Sequence, residues 1–190
     1  PGMRVLAPSS TQDLQQMLSD AISLADTGPV AIRYPKGLAR NVDENDIGSG
    51  LQARKLVDGT TKRVCILAIG KLVGAALEAA ETLKASNTDV TVWDVRSCAP
   101  LDPAMIADAM QHDVVITAED GIRDGGIGMT IQSMINSEGQ TSSGHKRPVV
   151  RVLGVPTTFV PTAKPQVILH QMGLDAQGIV GTVLNMLGAK

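Results

Sequence analysis

Apolar positions along the chain follow two alternating rhythms, one of three- and four-residue steps and one of short continuous runs. Helices produce the first rhythm and buried strands the second. "MRVLA" (3–7) predicts a short strand, which Pro8 ends. Ser10 followed by Asp13 has the spacing of a helix-starting capping box. From there Leu14, Met17, Leu18, Ala21, Ile22 and Ala25 form one predicted apolar helix face, and "TGP" stops it before a strand at "VAIRY" (30–34).

The rhythm lapses over residues 37–50, "GLARNVDENDIGSG", whose charge, Asn and Gly content is that of a surface connection; a domain boundary is expected within it. Beyond it, "QARKLVDG" and "RVCILAIG" predict strands. A helix follows with Leu72, Ala76, Leu77, Ala80 and Leu83 on one face. "DVTVWDV" (89–95) predicts a strand, and Asp102 with Pro103 supplies a favoured helix start. Further strands are predicted at 113–119 and 147–155, separated by a helix over 129–135 and a Ser/Gly-rich loop (137–146). Two short helices close the chain, one from Pro165 and one capped by Asp175 with Ile179, Val183, Met186 and Leu187 inward.

Strands alternating with helices of this length predict an α/β fold, a largely parallel sheet covered by helices on both faces and joined by right-handed crossovers. Hydrophobic residues make up 43% of the chain, yet Trp93, Tyr34 and Phe159 are its only aromatics, so Val, Ile, Leu, Ala and Met must build the core. That mix suits a layered α/β fold better than a small β-sandwich. At 190 residues there is room for one full domain and part of another.

Charge narrows the function classes. The formal net charge is −2 and no basic block occurs, so the electrostatic footprint of a nucleic-acid binder is missing. No apolar run reaches the ~18–20 residues of a membrane span, and no membrane partner is expected. Cys65 and Cys98 each sit among apolar residues without a C-x-x-C partner, which predicts buried thiols and fits a reducing, cytoplasmic setting. The first residue is not Met and no signal-peptide pattern follows it, so a piece of a longer chain, or a processed one, is expected.

Two stretches carry candidate chemistry. In "AEDGIRDGGIG" (118–128), Gly121, Gly125, Gly126 and Gly128 match neither the dinucleotide fingerprint nor a P-loop. Glu119, Asp120 and Asp124 crowd the same segment, with Arg123 opposing them, so an anion would be repelled. A tight turn that lets a helix approach closely is the favoured reading. In "AIRYPKG" (31–37), Arg33 and Lys36 flank Pro35 at the carboxyl end of a strand, where open α/β sheets bind ligands. A phosphate or carboxylate would suit them; the alternative is a pair of solvated loop charges.

Other chemistries find less support. "DENDIGSG" (43–50) lacks calcium ligands at the needed positions. His112, His145 and His170 form no zinc spacing, and no G-x-S-x-G is present, so no catalytic constellation is complete.

Five segments in order, "MRVLAPSSTQDLQQML", "GPVAIRYPKG", "PLDPAMI", "VVITAEDGIRDGGIG" and "GLDAQGIVGTVLNML", resemble the carboxyl-terminal third of the 1-deoxy-D-xylulose-5-phosphate synthase family. Transketolases and the beta subunits of 2-oxoacid dehydrogenases are broader relatives with less similarity at these places. The resemblance implies that residues 1–48 end a pyrimidine-binding domain and that residues 49–190 form a transketolase-type carboxyl-terminal domain. It also implies a homodimer that joins pyruvate to D-glyceraldehyde 3-phosphate with loss of carbon dioxide.

The cofactors so implied are thiamine diphosphate and magnesium, whose ligands, like the catalytic residues, lie upstream in the family and are assigned to none of these residues. The thiazolium ring holds the electrons left by decarboxylation. The second basic residue of the family's R-Y-P-R-G pattern contacts the substrate phosphate, and Lys36 holds that position here, with Arg33 in support. Lysine keeps the charge of arginine and loses its bidentate fork. A contrasting expectation is a non-catalytic assembly module, with the Met-containing helices at 129–135 and 179–187 facing a second copy.

Overall fold

The computed structural model describes residues 2–137 and 146–188. Strand β1 (Arg4–Leu6) leads into helix α1 (Thr11–Leu24) and β2 (Val30–Ile32). After the polar connection come β3 (Arg54–Val57), β4 (Val64–Ala68), α2 (Leu72–Ala85), β5 (Thr91–Asp94) and β6 (Ser97–Ala99). The chain continues through α3 (Pro103–Ala109), β7 (Val114–Ile122), α4 (Ile127–Ser137), β8 (Val149–Val155), α5 (Pro165–Gln171) and α6 (Ala176–Gly188).

The predicted α/β class is the observed one. A five-stranded sheet has the order β3-β5-β4-β7-β8, with β5, β4, β7 and β8 parallel and β3 antiparallel at one edge. Strand residues alternate between its faces. Val64, Ile66 and Ala68 join Ile116 and Ala118 against Leu72, Val73, Ala76 and Leu83 of α2 and Ile179 and Val183 of α6. On the opposite face Cys65 and Leu67 join Trp93 and Val115 against Met105, Ile106 and Ala109 of α3 and Ile131 and Ile135 of α4. Both cysteines are buried and free, and burial pushes the Cys98 thiol up to about 12 and that of Cys65 higher still.

A second sheet, in the order β2-β1-β6, pairs β1 parallel with β2 and antiparallel with β6. Strand β6 is absent from the sequence-based reading. Three residues are too few to show a period, and their ladder partner lies over ninety positions earlier in the chain.

Helix starts match the sequence signals. Ser10 Oγ accepts the Asp13 N–H (3.0 Å), Asp102 accepts the Ala104 N–H (2.8 Å), and Asp175 accepts the Gly178 N–H (2.8 Å). The apolar face of α1 is different from the predicted one. Met17 and Asp13 are its buried residues, while Leu18 and Ile22 are 51% and 79% exposed. On the buried side of the helix Asp13 pairs with the buried guanidinium of Arg96.

Arg96 also fastens the connection between the sheets. Its Nη1 donates to the carbonyls of Ser49, Gly50 and Gln52 (3.3, 3.3 and 2.7 Å). Gly48 lies against this guanidinium, and a Cβ there would come within 2.5 Å of Nε. Beside it, Asp94 accepts from the Ser9 hydroxyl and the Arg96 N–H.

Candidate anion-binding site

Strand β7 runs past the predicted residue 119 to Ile122, so the glycine-rich stretch starts inside the sheet, at a register shift between Ala118 and Ile122. Glu119 then turns back onto α4, and its Oε1 accepts the Gly128 N–H at 2.8 Å. Burial pushes this carboxyl above its usual range, and bonds from the amides of Gly128 and Ile127 pull it back. The amide-lined helix start is thus filled by the chain's own carboxylate. Gly128 packs where a Cβ would strike Thr117 Oγ1 and lie 2.7 Å from Val152 Cγ1, so the close-approach reading of this glycine holds.

Arg33 and Lys36 lie in different surroundings. Arg33 Nη1 is 2.6 Å from Asp120 Oδ1, and both residues line an open cleft with Ile122, Val155 and Phe159. They also line a smaller cavity of about 180 Å³ that contains Glu119 and Cys98. Each of these hollows brings a carboxylate with its cation. Lys36 lines a separate cavity of about 710 Å³, between the start of α1, residues 34–41 and the start of α2. Its charged lining residues are Lys36, Arg40 and Lys71, with no carboxylate among them.

That cavity is a polar-rimmed pocket of the size that holds small molecules, roughly 300–1,000 Å³. The backbone around it is already bonded: Thr11 N–H donates to the Arg40 carbonyl (2.9 Å), Leu72 N–H to Ile69 (3.2 Å) and Val73 N–H to Gly70 (3.1 Å). Side-chain cations therefore set its chemistry. Arg40 Nε is buried and has no hydrogen-bond partner among the described residues. In a chain of net charge −2, a cavity charged only by cations selects anions.

Sequence reasoning missed Arg40 and Lys71. Lys71 follows "ILAIG" directly, at the carboxyl end of β4, and the rule that drew attention to Lys36 applies to it equally. Arg40 sits in a loop without periodicity and carries no such signal.

The histidines take other roles. His112 is buried, with Nδ1 2.9 Å from the Asp108 carbonyl and Nε2 3.0 Å from Thr91 Oγ1, and burial lowers its pKa. His170 Nδ1 pairs with Asp175 (2.7 Å), while His145 lies outside the described residues. Among the described residues no group of three or more His, Cys, Asp or Glu side chains could hold a metal ion. At the start of α4 the Gly128 amide already bonds the Glu119 carboxylate and is not presented to a diphosphate. No helix among the described residues is long and apolar enough to cross a membrane.

Residues 52–179 match the family model described as "Transketolase, C-terminal domain". A 1-deoxy-D-xylulose-5-phosphate synthase of Magnetococcus marinus is 33% identical over 99% of this chain and 29% of its own length. One of Geobacter sulfurreducens, 1-deoxy-D-xylulose-5-phosphate synthase 1, is 36% identical over 100% of this chain and 29% of its own length. The chain thus spans less than a third of these relatives. Among solved structures, one described as "Split gene transketolase, inactive beta4 tetramer" superposes with a TM-score of 0.85 at 27% identity, over 97% of this chain and 58% of that one. A transketolase of Campylobacter jejuni shares the fold, with a TM-score of 0.69 at 17% identity over 97% of this chain and 26% of its own. With the family model covering more than half of its residues, the chain belongs to the transketolase C-terminal domain family.

Proposed function

We propose that this chain is the carboxyl-terminal part of a 1-deoxy-D-xylulose-5-phosphate synthase, and that Lys36 binds the phosphate of D-glyceraldehyde 3-phosphate. The carboxylate-free cavity around Lys36 carries the reading, because a phosphorylated substrate needs a place where cations are not already neutralised. Relatives bearing that enzyme name across nearly the full length of this chain support it. Arg33 acts in support, by holding Asp120 at the side of the site.

On this reading residues 1–48 close a pyrimidine-binding domain, and residues 49–190 form the transketolase-type domain of a cytoplasmic homodimer. Thiamine diphosphate and magnesium are held by residues outside this chain, so the chain by itself neither binds the cofactor nor turns over pyruvate. Calorimetry tests the first point: tight uptake of thiamine diphosphate with magnesium by the 190-residue chain would overturn it. In an enzyme carrying this segment, Lys36→Ala should raise KM for the aldehyde phosphate about tenfold, as loss of one charge-assisted bond implies. An unchanged KM would remove Lys36 from the site.

A second reading, a non-catalytic assembly module, draws on the similar chain described as an inactive tetramer. Product formation by an enzyme carrying this segment, and its loss on deletion of residues 49–190, would exclude that reading.

A further inference from the structure

The cavity over Lys36 gathers its charge from two parts of the chain. Lys36 and Arg40 come from the segment after β2, while Lys71 immediately precedes α2, which packs on the five-stranded sheet. Building on the phosphate reading of Lys36, we infer that Lys71 is a second ligand of the same phosphate and sets the preference for phosphorylated over unphosphorylated substrate.

A single lysine does not satisfy a phosphate monoester. The group carries about −1.5 to −2 charges at neutral pH and three acceptor oxygens, and an ammonium is a point charge without the two-pronged grip of a guanidinium. A second cation has to come from the cavity wall. Lys71 is placed for it. Its side chain is 32% exposed and makes no cap bond to its own helix. The first amides of α2 are already bonded, so Nζ is what the start of this helix offers an anion.

Among the described residues Lys71 pairs with Asp120, a carboxylate it shares with Arg33, so its charge is offset only in part. Asp120 Oδ2 lies 3.7 Å away, beyond hydrogen-bond reach, while Asp120 Oδ1 is engaged by Arg33 at 2.6 Å. Asp120 lines the neighbouring hollows, outside the Lys36 cavity. Arg40 completes the floor, with its Cδ 3.6 Å from where a Cβ of Gly74 would stand. A phosphate seated here joins the β2 side of the molecule to the start of α2.

The test is a titration of the 190-residue chain followed through its lysine side-chain NMR signals. Glycerol 3-phosphate replaces the aldehyde, which would condense with amines, and glycerol and inorganic phosphate serve as controls. Signals of both Lys36 and Lys71 should move with glycerol 3-phosphate and with inorganic phosphate, and not with glycerol. Lys71→Met should weaken glycerol 3-phosphate binding about tenfold and Lys71→Arg should restore it.

A moving Lys36 beside a silent Lys71 would overturn the second ligand and leave the reading of Lys36 standing. A moving Lys71 beside a silent Lys36 would overturn the shared seat and the reading of Lys36 together, as would silence at both. The wild-type titration decides these cases even where a variant fails to fold.

Discussion

Arg96 Nε lies 2.9 Å from Asp13 Oδ1, with side chains only 1% and 4% exposed, and this pair ties α1 to the end of β5. Arg96 reaches it from a left-handed backbone conformation, φ 53°. Removing one partner strands the other charge out of water. Asp13→Ala should therefore cost about 3–5 kcal/mol, seen as a lower urea midpoint with an unchanged slope. Replacing both partners with apolar residues should recover a large part of that loss.

Asp94 supplies the pH dependence. Burial raises its carboxyl pKa to about 7, against the bonds it accepts from Ser9 and Arg96. The folded chain keeps this proton to a higher pH than the unfolded chain, so the contribution of Asp94 is complete below its ordinary value of 3.8 and is lost as pH rises to about 7. Asp94→Asn has no such loss. Its stability relative to the wild type should increase between pH 5 and pH 8 in urea unfolding; a constant difference would show that Asp94 keeps an ordinary pKa.

The Glu119 cap on α4 is testable in isolation from the cation cavity. Glu119→Ala leaves the Gly128 amide without its acceptor and should cost about 1–2 kcal/mol. Glu119→Gln retains an acceptor oxygen and should cost less, with thermal unfolding as the readout.

Two helix glycines, Gly128 in α4 and Gly181 in α6, should respond oppositely to alanine. Gly128→Ala drives a methyl into Thr117 and Val152 and should destabilise by about 1–3 kcal/mol. At Gly181, within α6, nothing lies within 4 Å of the added Cβ, and alanine should stabilise by about 0.5–1 kcal/mol. Equal shifts in Tm would contradict the close packing of α4 on β7 and β8.

Local signals were legible where local physics decides the outcome. The caps at Ser10, Asp102 and Asp175 and the inward faces of α2 and α6 are short-range features, and the sequence shows them. Long-range charge pairing was not legible. Nothing near Arg96 in sequence announces that it will meet Asp13, which lies on the buried side of α1 while Leu18 and Ile22, predicted as core, are exposed. The candidate site shows the same division. Lys36 was found from a strand end and a proline, whereas Arg40 and Lys71 join it only once α1, α2 and the segment after β2 converge.

The short strand β6 has a consequence for colloidal behaviour. By pairing with β1 it occupies the edge opposite β2, where unpaired backbone groups would invite strand addition from another molecule. Three residues midway along the chain thereby cover the open side of its first strand.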